Sequence, residues 1–217
     1  MPDISQWRSS EHVFLLAAVL AAIAAVFMLT IWTPLQLQAF ANATEVTRIE
    51  SSAASNDAWS RVPFVTADGN MTSLAASNGR VRVVTMLYTH CPGMCPLAVS
   101  TLQRMQTRLS PIEQKQLSII ALSLDPERDS IARLQEFRNA RGLDASRWVL
   151  GRTSSEGVRQ MAGALGVRYR VLGDDSVDHQ SVFVLLGRSG RVLARSYDAL
   201  NVGPAFLGAL QAALNAD

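Results

Sequence analysis

"VRVVTMLYTHCPGMCPL" occupies residues 81–97. Its first nine residues form a β-branched apolar run of strand length. The proline-bearing stretch that follows holds both cysteines of the chain, Cys91 and Cys95, each followed by a proline. Leu102, Met105 and Leu109 then recur at helical spacing, which predicts a helix over 96–109. A strand that ends on two thiols at the mouth of a helix is the unit from which the rest is read.

Upstream, "VPFVTADGNMTSL" (62–74) reads as a strand, an Asp-Gly turn and a second short strand. Downstream, "LSIIALSL" (117–124) is a buried-type strand, and "SIARLQEFRNARG" (130–142) is a helix with Ser130 as N-cap and Gly142 as its stop. "RWVLG", "VRYRVLG" and "QSVFVLLG" read as strands, with the helix "SSEGVRQMAGALG" (154–166) among them. "GRSGRVLARSY" turns at Ser189-Gly190 into a last strand, and "GPAFLGALQAALNA" closes the chain as a helix with Pro204 in its first turn. Strands alternating with helices predict an α/β domain over 58–217 with a largely parallel central sheet. Thiols after a strand and at a helix mouth resemble the thioredoxin arrangement. The expected fold is therefore thioredoxin-like, with an N-terminal β-hairpin extension.

The segment "VFLLAAVLAAIAAVFMLTIW" (13–32) carries no charge. As a helix it would rise about 30 Å, the thickness of a bilayer's hydrocarbon core. Residues 13–33 are read as a transmembrane anchor, 1–12 as a cytoplasmic N-terminus and 34–57 as a polar linker. The rival is a cleaved signal peptide, for which Ala39-Phe40-Ala41 and Ala41-Asn42-Ala43 offer small-x-small sites. Both readings export the globular part, to the periplasmic side of a bacterial inner membrane or into the mitochondrial inner-membrane system. Exported compartments permit thiol oxidation. With 20 basic against 18 acidic residues there is no concentrated basic stripe, so nucleic acid is not an expected partner.

The two thiols admit several uses. A disulfide across so short a loop stabilises by only about 2 kcal/mol before strain, a poor structural staple. Pro92, Gly93 and Pro96 hold the stretch out of regular helix, which argues against a buried core stripe. A redox pair and a metal site both gain from a helix N-terminus, which stabilises thiolates. Dithiol oxidoreductases use Cys-x-x-Cys, and the extra residue here widens the bite between the sulfurs. No proline lies between Pro126 and Pro204, so the cis-proline loop that faces the thiols in thioredoxin-like enzymes is missing. In its place, before the strand "SVFVLLG", stands "DSVDHQ" with His179. Two sulfurs and an imidazole suit Cu(I) and accept Cu(II). His90 should diverge from its neighbour Cys91, leaving it an outer contact or a bystander, and Met94 reads as a loop side chain shielding the site.

"YTHCPGMCP" (88–96), "SLDPERDS" (123–130) and "VDHQSVFVLL" (177–186) are similar to the three signature segments of the Sco/SenC family of membrane-anchored, thioredoxin-like copper proteins. The resemblance covers about residues 60–215. It implies that Cys91 and Cys95 are thiolate ligands of copper and His179 the histidine ligand, with Asp178 orienting or tuning the imidazole from outside. It implies that Asp125-Pro126 belongs to a structural loop. The family usually has serine after the histidine; here it is Gln180. The implied function is a metallochaperone, not a turnover enzyme, that delivers copper to the dinuclear copper (CuA) site of cytochrome c oxidase. Its partners would be the oxidase copper-site subunit or another copper chaperone. The alternative is a thiol–disulfide oxidoreductase that reduces the cysteines of those partners, with Cys91 and Cys95 as the redox pair. A peroxide-reducing enzyme is disfavoured, because no proline lies between Pro63 and Cys91.

Overall fold

A computed structural model describes residues 57–77, 79–172 and 176–216. The anchor and nearly all of the linker expected before residue 57 lie outside them. A short 3₁₀ turn at Asp57–Arg61 leads into the expected hairpin, β1 (Phe64–Thr66) and β2 (Met71–Thr72). Gly69 takes a positive φ of 82° at the Asp-Gly turn, a conformation that costs glycine nothing. A second 3₁₀ turn, Ala75–Ser77, precedes β3 (Val81–Leu87), which is buried along its whole length. Helix α1 (Met94–Thr107) is followed by a short α2 (Pro111–Gln116) and β4 (Leu117–Ser123), again buried throughout. Then come α3 (Ile131–Ala140), β5 (Trp148–Arg152) and α4 (Ser155–Leu165). The chain finishes with β6 (Tyr169–Val171), β7 (Val177–His179), β8 (Phe183–Leu186), β9 (Val192–Ser196) and α5 (Pro204–Asn215).

Seven strands form one sheet in the order β2-β1-β5-β4-β3-β8-β9. The sheet is mixed rather than largely parallel: only β3–β4 and β4–β5 run parallel. Parallel neighbours need a crossover, and α1 with α2, then α3, supply those two. Elsewhere tight turns force antiparallel pairing, at the Asp68–Gly69 hairpin and at Ser189–Gly190, where Gly190 has φ of 89°. The N-terminal hairpin extends the sheet through β1 on β5, with Val65 opposite Arg152.

Three local readings change. Helix α1 starts at Met94, two residues early, because a proline in the first helical turn sacrifices no hydrogen bond. Helix α2 was not anticipated, although its signal is in the sequence. Ser110 accepts from the Glu113 N–H, the Glu113 carboxylate reaches back to the Ser110 N–H, and Pro111 opens the helix. Residues 177–179, expected as loop, form β7, which pairs with β6 in a separate two-stranded ribbon. The capping of α3 by Ser130 and the left-handed Gly166 after α4 are as expected.

Arg82 lies in the middle of the sheet with no exposed surface. Among the described residues no carboxylate pairs with it. Its Nη1 donates to the Leu74 carbonyl at 2.6 Å and to the Ser77 Oγ at 3.2 Å, and its Nη2 to the Gly187 carbonyl at 2.9 Å. It thereby ties the 3₁₀ turn before β3 to the end of β8. Leu74 and Gly187 have other donors, Ser77 and Gly190, so removing the cation leaves neither carbonyl bare. Arg82→Met should therefore change stability by less than about 1.5 kcal/mol, since the desolvation cost of the charge offsets its lost bonds. Arg82→Ala, which also leaves a void, should cost about 3 kcal/mol. Urea unfolding of the two variants checks the difference.

Candidate metal centre

The site is built at the carboxyl ends of β3 and β4, where the two strands run in register, Leu87 opposite Ser123. Beyond those ends both chains turn away, and one buried side chain ties them together. Asp129, with no exposed surface, accepts from the Thr89 Oγ1 at 2.5 Å, the Thr89 N–H at 3.2 Å and the Ser123 Oγ at 2.6 Å. Ser123 Oγ also accepts from the Asp125 N–H at 2.9 Å. Asp125 holds Arg128 at 2.6 Å and His90 Nε2 at 3.1 Å. Asp125-Pro126 lies in the loop that its structural reading implies, whereas the roles of Thr89, Ser123 and Asp129 are not legible from residue type or spacing. The only available signal was their presence in two of the three motif segments.

This knot delivers Cys91, which is nearly buried, to the mouth of α1. Cys95 sits in the first turn of α1 and is 1% exposed. The expectation that the prolines keep the cysteine stretch out of the helix and the core is thus corrected: Cys95 lies in α1, and both cysteines are buried in the core cluster. Their thiols are free. The Cys95 N–H points at Cys91 Sγ over 3.4 Å. From the ribbon, His179 at the end of β7 brings Nε2 to 3.5 Å from Cys95 Sγ. The Cys91, Cys95 and His179 donor atoms all lie within 4.8 Å of one another.

The remaining candidates lie elsewhere. His90 diverges from Cys91, as expected, and is held by Asp125, with Asp129 at 3.7 Å from its other nitrogen. Met94 is half exposed at the start of α1. Asp178 does not orient the imidazole by contact. Alternation along β7 turns it to the opposite face, where its exposed carboxylate lies 3.6 Å from Arg170, its cross-strand neighbour. It acts on His179 only through its field, which favours the protonated ring.

The electrostatics divide the two thiols. Burial opposes ionisation of Cys91, but the N–H groups of Cys95 and Gly93, the Cys95 thiol and the Tyr88 hydroxyl overcome it and lower the pKa. Cys95 is pushed well above its ordinary value, first by burial and then by the neighbouring Cys91. Burial also lowers the pKa of His179 below 6.5, against the smaller effects of the Gln180 backbone and Asp178. The two thiols are thus unequal, Cys91 the more acidic and Cys95 the less, beside an imidazole whose protonation burial opposes. Such a set of two soft sulfurs and one nitrogen suits a soft metal ion.

Comparison with known proteins agrees with the fold. The SCO1/SenC family profile matches residues 52–210, and the chain belongs to that family. The SCO1 protein homolog of Bacillus subtilis (strain 168) is 30% identical over 145 residues, which span 65% of this chain and 74% of the relative. BsSco, a member of the Sco family of cytochrome c oxidase assembly proteins in which a disulfide switch has been identified, superposes with a TM-score of 0.61 at 26% identity. That match covers 71% of this chain and 92% of BsSco. Arabidopsis thaliana ScoI, solved with copper bound, shares the fold with a TM-score of 0.58 at 20% identity, over 69% of this chain and 94% of its own.

A base whose folded pKa is depressed binds fewer protons folded than unfolded, so acid favours unfolding. Stability of the metal-free protein should therefore fall as pH drops below about 6.5, the unfolded value for His179, until the folded ring also protonates. Urea titrations at pH 7.5 and 5.5 should show the loss in the wild type and a smaller one in His179→Gln.

Proposed function

We propose that the protein is a copper metallochaperone whose cargo is held by Cys91, Cys95 and His179 and passed to the CuA site of cytochrome c oxidase. One observation carries the reading: two buried sulfurs and an imidazole, from separate elements, meet within 4.8 Å. Copper in the Arabidopsis ScoI structure and the oxidase-assembly role named for the Sco family support it. Cu(I) takes low coordination numbers with thiolate and imidazole donors. Loading would replace the proton on Cys95, so metal uptake releases protons. Transfer outside the cytoplasm, from a domain tethered by residues 13–33, fits the sequence reading of the N-terminal segment. The partner is the copper-site subunit of the oxidase or another copper chaperone.

A second reading rests on the unequal acidities of the thiols. Cys91, the more acidic, is suited to attack a partner's disulfide, forming a mixed disulfide and expelling one partner thiolate. Cys95, after losing its proton, then attacks Cys91 Sγ and releases the second partner thiolate. Two electrons pass to the partner, and Cys91–Cys95 is left oxidised. The disulfide switch identified in BsSco supports this use of the pair.

Competitive Cu(I) titration of the reduced full-length chain, without oxygen, tests the first reading. One tight equivalent is expected. Cys91→Ser and Cys95→Ser should each weaken it beyond the roughly 10–100-fold that loss of an outer contact brings. Copper binding indifferent to the cysteines would overturn the chaperone. Reduction of a partner disulfide that persists in His179→Ala would favour the oxidoreductase.

A further inference from the structure

A histidine that holds a metal through one ring nitrogen is normally steered by a hydrogen bond from the other. Among the described residues His179 shows no well-formed bond of that kind: its Nδ1 is buried without a hydrogen-bond partner, and only the Gln180 backbone lies near enough to favour the protonated ring by hydrogen bonding. Asp178 faces away toward Arg170, and the Gln180 N–H is taken by the Arg168 carbonyl at 2.9 Å. Packing against its neighbours is therefore left a large share in orienting the ring.

Tyr88 is placed to do it. It follows β3 directly, precedes the Thr89 knot, and is 5% exposed. Its ring meets the His179 ring edge to face, with centroids 5.8 Å apart and planes at 72°. It also meets His90 in the same manner, at 4.8 Å and 65°. His90 is pinned by Asp125 at 3.1 Å. The phenol ring thus stands between an imidazole that is fixed and one that is not. Its hydroxyl interacts with the Cys91 sulfur and with the backbone of Val177, two residues before His179 on β7. In the β6–β7 ladder, the bonds Gln180 N–H to Arg168 and Leu172 N–H to Ser176 fix the even-numbered residues as the hydrogen-bonded pairs. The Val177 N–H accordingly points out of the ribbon, where a hydroxyl can receive it.

We propose that Tyr88 is the positioning residue for His179: its ring is the wall the imidazole rests on, and its hydroxyl tethers β7 to the cysteine loop. The proposal rests on the copper reading for its consequence, though the positioning itself exists without metal. Steering by packing differs chemically from steering by a hydrogen bond. It sets the direction of Nε2 without raising the basicity of the ligand, so His179 is aimed at the sulfurs yet held as a weak donor.

The test uses the full-length protein in two states. In the metal-free state, NMR of the His179 ring should show one ordered conformer in the wild type and averaged signals in Tyr88→Leu. Tyr88→Phe keeps the wall and loses the tether. It should retain ring order but exchange the Val177 amide faster. With Cu(I), Tyr88→Leu should weaken binding about 10–100-fold when His179 is present. In a His179→Ala background the same change should alter affinity less than about 3-fold, because a residue acting through His179 has nothing left to act on. Equal weakening in both backgrounds, or unaltered ring signals in Tyr88→Leu, would overturn the proposal. Should Tyr88→Leu fail to fold, unchanged Val177 exchange in Tyr88→Phe, or loss of His179 ring order in it, would overturn the proposal alone. A wild type that binds no copper would sink the chaperone reading while the metal-free measurements still decide the role of Tyr88.

Discussion

Asp129 has no exposed surface, yet its two oxygens gather a backbone N–H and two hydroxyls from the ends of adjacent strands. Removing a carboxylate from water is costly unless its lone pairs are used. Here each donor is supplied by a residue that must be at one place, Thr89 after β3 and Ser123 at the end of β4. The β3–β4 ladder brings the two strand ends level, and Asp129 stops them from diverging. From that knot Cys91 follows at a fixed reach, and His90 is caught by Asp125 from the same loop. The thiol geometry is thus set by a polar cluster that never touches a sulfur. Bonds to charged groups contribute about 1.5–3 kcal/mol each, so the cluster outweighs the few apolar contacts available to a turn.

Much of this was legible in the chain. Alternating β-branched runs and capped helices gave the order of elements, because burial on both faces of a central strand leaves a continuous apolar run. Cys91, Cys95 and His179 could be picked out by residue type, spacing and the empty proline position. Other features were hidden for physical reasons. Strand direction is set by connections, and the two hairpins and the long-range pairings β1–β5 and β3–β8 make four antiparallel neighbours against two parallel ones. β7 is three residues long and its outward residue is charged, so no periodicity marks it. The burial of Cys95 depends on where α1 begins, and prolines that break a helix interior are tolerated in its first turn. Asp178 looked like the imidazole's partner because it is next in sequence, but neighbours on a strand face opposite ways. The signal for Tyr88 lies only in three dimensions, since an aromatic after an apolar strand is ordinary core.

The donors of the site belong to two different sheets. Both sulfurs are mounted on the seven-stranded sheet and the helix that follows its central strand, whereas the imidazole is carried by the β6–β7 ribbon, which shares no ladder with that sheet. Local opening of a short ribbon costs far less than opening a core strand. Withdrawing the imidazole would therefore break no rung of the main sheet. On the copper reading proposed above the site would have the character of a latch: the thiols would keep hold of an ion while the imidazole left it, freeing one coordination position for an incoming donor before any sulfur let go.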